Sequence, residues 1–121
     1  MTEKETYYAK RGNFVEKTKR YFEFLITEFD FDKPIYKFSE QPNGVIISDE
    51  FEFNNEDKNL KIVLSNSYHP VDYGFEIILI NLKTGNEEML HYVLKENQDV
   101  EQNYLIKAAQ YLKNGFIQRL S

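Results

Sequence analysis

Residues 60–94 read LKIVLSNSYHPVDYGFEIILINLKTGNEEMLHYVL. Three apolar runs, 60–64, 75–82 and 89–94, are separated by polar segments that carry Pro70, Gly74 and Gly85. Short β-branched and aromatic runs with turn residues between them predict consecutive antiparallel strands. In the middle run Ile77, Ile78, Leu79 and Ile80 are apolar on both sides of the pleat. That is the pattern of a strand with neighbours on each edge and cover on each face.

Upstream, two more strands are expected. The first is 35–39, followed by a turn at Glu40-Gln41-Pro42-Asn43-Gly44. The second is 45–53, where Val45, Ile47, Phe51 and Phe53 alternate with Ser48, Glu50 and Glu52. Asp49 breaks the alternation. Either it faces inward with a partner, or a bulge re-aims it.

Helices are expected at both ends. Asn13 with Glu16 three residues on reads as an N-cap and capping box. Phe14, Thr18, Tyr21, Phe22, Leu25 and Phe29 then recur at spacings of three and four, and Pro34 closes the run. Phe24 points away from that stripe. Residues 1–12 are expected to be a flexible segment, leaving 13–121 as a single domain. At the other end Asp99 with Gln102 reads as a helix cap, and Tyr104, Leu105, Ala108, Ala109, Tyr111, Leu112 and Phe116 as a buried stripe. Asn114-Gly115 either stops this helix in a left-handed cap or lets it run on towards Leu120.

The expected fold is therefore α+β: a five-stranded antiparallel meander with N- and C-terminal helices packed on one face, in the order α-β-β-β-β-β-α. The other face is expected to show Glu50, Glu52, Lys61, Val63 and Glu76, with Ile78 and Ile80.

Composition narrows the function classes. With 121 residues, one hydrophobic core is expected. No apolar run approaches the ~18 residues of a membrane span, and the N-terminus lacks the apolar stretch of a secretory signal. Cysteine is absent, which removes disulfides, thiolate nucleophiles and Cys-based zinc sites; a cytoplasmic location is the simplest expectation. The net charge of −5 is uneven: +3 over residues 1–20, −7 over 21–60 and −1 over the remainder. An acidic middle disfavours a phosphate backbone and favours a basic protein surface.

Catalytic chemistry has few carriers. Ser65, Ser67, His69 and Asp72 are close in sequence, but neither a nucleophile elbow nor an oxyanion loop accompanies them, and the segment reads as a polar hairpin loop. His91, between Leu90 and Tyr92, reads as a strand residue. Metal-ligand spacings, calcium loops and phosphate-cradling glycine motifs do not occur, so neither cofactor nor metal is expected. Lys10, Arg11, Lys17, Lys19 and Arg20 beside Tyr7, Tyr8 and Tyr21 are the best nucleic-acid candidates, set against the acidity of the chain.

The acidic strand is the most suggestive surface. Alternation puts Glu50 and Glu52 side by side facing outward, with Glu56 and Asp57 in the following turn. Such a patch steers a basic partner, with Tyr68 and Tyr73 as candidate anchors. The competing reading is that these carboxylates only keep an exposed sheet soluble. The element order, the run YGFEIILINLKTG and the ending YLIKAAQYLKNGFIQRL resemble small bacterial α+β proteins of the toxin-immunity kind. That resemblance implies stoichiometric blocking of a cognate, often cationic, toxin. The expectation is thus a non-enzymatic module that binds a basic protein. The alternatives are a self-associating homodimer through Val63, Ile78 and Ile80, and a nucleic-acid-associated protein.

Overall fold

The computed structural model describes residues 2–68 and 74–121. The five strands β1 (Ile35–Glu40), β2 (Ile46–Asn55), β3 (Leu60–Ser67), β4 (Gly74–Asn81) and β5 (Glu87–Leu94) pair antiparallel, each beside its neighbour in sequence. This is the expected α+β meander. Register sorts the side chains, because successive residues of a strand point to opposite faces. Phe51 lies opposite Leu64, which lies opposite Ile77; Phe53, Ile62 and Leu79 form the next row. All six are buried, and Phe14, Leu25, Leu105, Ala108 and Leu112 from the helices, with Phe22 from the link between the first two, cover them.

The covering helices are α1 (Glu3–Tyr21), the short α2 (Phe24–Thr27), α3 (Tyr104–Gly115) and α4 (Ile117–Leu120). The start of α1 corrects the expectation of a loose segment before Asn13. Thr2 is the N-cap, its Oγ1 accepting from Glu5 N at 3.1 Å, and Glu3 and Glu5 suit the positive end of the helix dipole. Asn13 caps nothing; its side chain donates to Val100 O at 3.1 Å. Residues 3–12 dock through polar groups, the Tyr7 hydroxyl donating to Ile46 O and Arg11 reaching Asp49. An apolar stripe is therefore a poor guide to this part of the helix.

Three other boundaries differ from expectation. The first helix breaks after Tyr21, and the break turns Phe24 back onto the core, with its ring 6.1 Å from Phe22 and 6.0 Å from Phe29. Asp99 accepts from Asn103 N at 2.9 Å, one turn before α3, while Gln102 is buried with φ 61° and makes no capping box. The chain kinks at Phe116 and continues into α4, burying Leu120, so Gly115 is not a left-handed cap. Tyr111, expected on the buried stripe of α3, is exposed. Gly74 is required at the head of β4: φ is 106°, and a Cβ there would sit 2.8 Å from Val93 O.

Candidate functional site

Asp49 faces inward. Its side chain is fully buried, and β2 carries it without a bulge opposite β3. Isolated burial of a carboxylate is costly, and the charge here is matched from three elements. Arg11 of α1 binds it as a fork, Nη2 donating to Oδ1 at 2.9 Å and Nε to Oδ2 at 3.1 Å. Tyr36 of β1 donates to Oδ1 at 2.5 Å, and Tyr68, just beyond β3, to Oδ2 at 2.8 Å. The carboxylate holds the Arg11 guanidinium more firmly protonated than usual through that hydrogen bond. The Tyr68 phenol is pushed up by burial first and by the Asp49 charge next.

The polar groups continue across the sheet. Asn66, directly opposite Asp49, donates to Gln102 Oε1 at 3.3 Å and accepts from Gln98 Nε2 at 3.0 Å. Tyr104 donates to the same Gln102 oxygen at 2.5 Å. These bonds hold Gln102 in its left-handed backbone conformation. The band ties α1, β1, β2, β3 and the approach to α3 together at one end of the core. Every member is hydrogen-bonded, which makes it a clamp.

Among the described residues, no helix lies on the opposite face of the sheet. One cross-strand row there is Ile35, Glu52, Val63, Ile78 and Met89; the next is Lys37, Glu50, Ser65, Glu76 and Tyr92. Glu50 and Glu52 are therefore side by side and outward, with Glu76 in the Glu50 row. Their electrostatics differ. Glu52 receives Lys37 at 2.9 Å and Lys61 at 3.7 Å, and the Lys37 hydrogen bond holds its carboxyl below the usual range. Glu50 makes no ion pair among the described residues; burial, then the Glu52 charge, pushes it up. Beside it, Ser39, Ser48, Ser65, Ser67 and Glu76 line a recess of about 380 Å³.

The remaining candidates are dispersed. Glu56 and Asp57 are exposed in the β2–β3 turn, at the far end of the sheet from Tyr68. Tyr68 turns its hydroxyl to Asp49 on the helix side, so it does not stand beside the acidic row. Tyr73, His69 and Asp72 lie outside the described residues. His91 faces the helices, its ring 4.9 Å from Tyr111, and burial lowers its pKa. Val63, expected on an exposed dimer face, is 8% accessible within its row. Of the basic set on α1, Arg11 is bound to Asp49, and Lys17 to Glu101 O and Asn103, while Lys19 and Arg20 are exposed.

Sequence reasoning singled out Asp49 but not its partners. The signal was a charge at an inward position of a strand; nothing in the spacing names Arg11, 38 residues earlier. Among the described residues no helix is long and apolar enough to cross a membrane. The fold and site define a one-sidedly covered α+β meander. No protein-family model, curated protein or solved structure matches the chain.

Proposed function

We propose that the chain is a non-enzymatic binding module whose helix-free sheet face covers a basic protein partner. One observation carries this reading. β4 is apolar on both sides of its pleat, yet the helices cover only its Phe75, Ile77 and Leu79; Ile78 and Ile80 lie half-buried on the bare face. A strand built for cover on both sides and covered on one has a place for a second molecule.

Charge argues for the chemistry of that molecule. The bare face carries Glu50, Glu52, Glu76 and Glu87 against Lys37 and Lys61, and the chain as a whole is at −5. Apolar contact with Ile78, Ile80 and Met89 supplies affinity, while the carboxylates supply steering and orientation. Glu56 and Asp57 extend the acidic field along one end. In the toxin-immunity setting that the sequence resembles, the act is stoichiometric blocking of a cationic toxin.

The test begins with a photo-crosslinking residue at Ile78 and, separately, at Tyr8 on the helix side. A partner crosslinked from Ile78 and not from Tyr8 is expected. Its association rate should fall as salt rises, and fall further in Glu50→Lys/Glu76→Lys. Crosslinking confined to Tyr8, or an on-rate indifferent to ionic strength, sinks the reading.

A further inference from the structure

The two edges of the sheet are finished differently. At β5, Glu87 and Glu88 open the strand, Arg119 of α4 reaches Glu88 at 2.5 Å, and α3 packs alongside. Among the described residues, β1 has no comparable shielding. All six of its residues are exposed, including Ile35, Tyr36 and Phe38, and Phe38 is 51% accessible.

The phase of the hydrogen bonds decides which main-chain groups of β1 face outward. Tyr68 N donates to Ile47 O, so the odd-numbered residues of β2 turn their backbone towards β3. Even-numbered ones turn towards β1, as Asp32 N donating to Asn54 O also requires. Ser48, Glu50 and Glu52 lie opposite Ser39, Lys37 and Ile35. Those three β1 residues therefore bond inward, and Tyr36, Phe38 and Glu40 aim their N–H and C=O away from the sheet. A row of extended-chain donors and acceptors matches another extended strand.

We propose that β1 pairs antiparallel with β1 of a second copy about a two-fold axis through Phe38, making one sheet continuous across both copies. The axis position follows from side chains. Opposed residues must share a face, so the axis passes through a residue. Placed at Phe38, it stacks Phe38 on its own copy and sets Lys37 opposite Ser39. Placed at Lys37, it would oppose two ammonium groups.

Charge fits as well. Glu40 of one copy arrives opposite Tyr36 of the other, whose hydroxyl is 3.4 Å from Arg11 Nη2. Arg11 is itself matched by Asp49, but residues 1–20, which make up most of α1, carry a net +3. An exposed carboxylate thus arrives beside a basic helix, twice by symmetry. Lys37 does not blunt the edge, because its ammonium lies on the bare face at 2.9 Å from Glu52.

Sedimentation velocity over a micromolar-to-millimolar series tests the pairing in three proteins: wild type, Phe38→Pro and Phe38→Lys. Proline at 38 removes an outward N–H and none of the β1–β2 ladder, so the fold is kept. Lysine places two like charges on the axis. The expected result is a concentration-dependent dimer in the wild type and monomers in both variants, with unfolding transitions like that of the wild type. A wild type that stays monomeric at millimolar concentration overturns the proposal. So does a variant that dimerises as the wild type does, which puts the contact on another surface. Should Phe38→Pro fail to fold, Phe38→Lys decides alone.

Discussion

Asp49 and Glu50 are consecutive carboxylates on one strand, and they belong to different parts of the molecule. Asp49 is buried under α1, with an arginine and two tyrosine hydroxyls on its two oxygens. Glu50 is half-buried on the helix-free face and without an ion pair among the described residues. The pleat alone makes the difference. Charge near an interior is a structural clamp where every lone pair is answered, and an available contact where it is not. The local sequence Ser-Asp-Glu-Phe does not distinguish the two roles.

The largest effect expected from this contrast is at the clamp. Asp49→Ala leaves a partly buried guanidinium and two hydroxyls without their acceptor, and should cost about 3–5 kcal/mol in urea unfolding. Glu50→Ala should change stability by no more than about 0.5 kcal/mol. Arg11→Met strands the carboxylate instead. The double variant Arg11→Met/Asp49→Leu should lose far less than the sum of Arg11→Met and Asp49→Leu, since both charges leave together. Additive losses would mean that Arg11 and Asp49 act independently and that the clamp is misdescribed.

Tyr68→Phe is a milder test. It removes one charge-assisted hydrogen bond to Asp49 Oδ2 while leaving the ring beneath α1, where it lies 5.5 Å from that of Tyr7. A loss of about 1.5–3 kcal/mol is expected, against no measurable change in association rate with a partner docked on the bare face. A binding defect without a stability defect would move Tyr68 from the clamp to the interface.

A smaller change, of opposite sign, is expected at Thr18. Its hydroxyl is buried on α1 and finds no hydrogen-bond partner among the described residues. Thr18→Val keeps the shape and deletes the unsatisfied group, and should raise stability by about 1 kcal/mol in the same assay. Destabilisation would show that the Thr18 hydroxyl is satisfied in solution.

The fold was legible because the determinants of a meander are local. Turn residues at Gly44, Asn59 and Gly85 separate runs whose alternation sets the faces, and consecutive strands then pair by default. The helix starting at Glu3 was hidden because residues 3–12 dock through a tyrosine hydroxyl and an arginine, which hydrophobic periodicity does not register. The clamp was half legible. An inward aspartate demands a cation, but Arg11, Tyr36 and Tyr68 come from three separate elements, and only tertiary structure chooses among many lysines, arginines and tyrosines. Alternation sets Glu50 and Glu52 on one outward face, yet their unequal electrostatics depend on Lys37 and Lys61 in the two flanking strands, a matter of register.

That inequality gives the last prediction. Both glutamates start from the ordinary value of 4.5, and folding moves them in opposite directions. Glu52, held low chiefly by Lys37, contributes stability that is present above about 4.5 and is lost as pH falls through its folded pKa. Glu50, raised by burial and by Glu52, does the reverse. The folded state tolerates its neutral form better, so its contribution is complete below about 4.5 and is lost as pH rises through its folded pKa. Glu52→Gln should therefore be less stable than wild type at neutral pH, and Glu50→Gln more stable, with both differences closing in acid. Thermal unfolding of the three proteins from about pH 3 to about pH 8 reads the signs directly. The groups facing Glu50 are Glu52, Lys37, Lys61 and, across Ser65, Glu76. A basic partner that fills the gap in this set must lower the Glu50 pKa on binding, so the complex should release a proton near that pKa when Glu50 is present and not in Glu50→Gln. Proton release unchanged by the substitution would place the partner's cation elsewhere on the face.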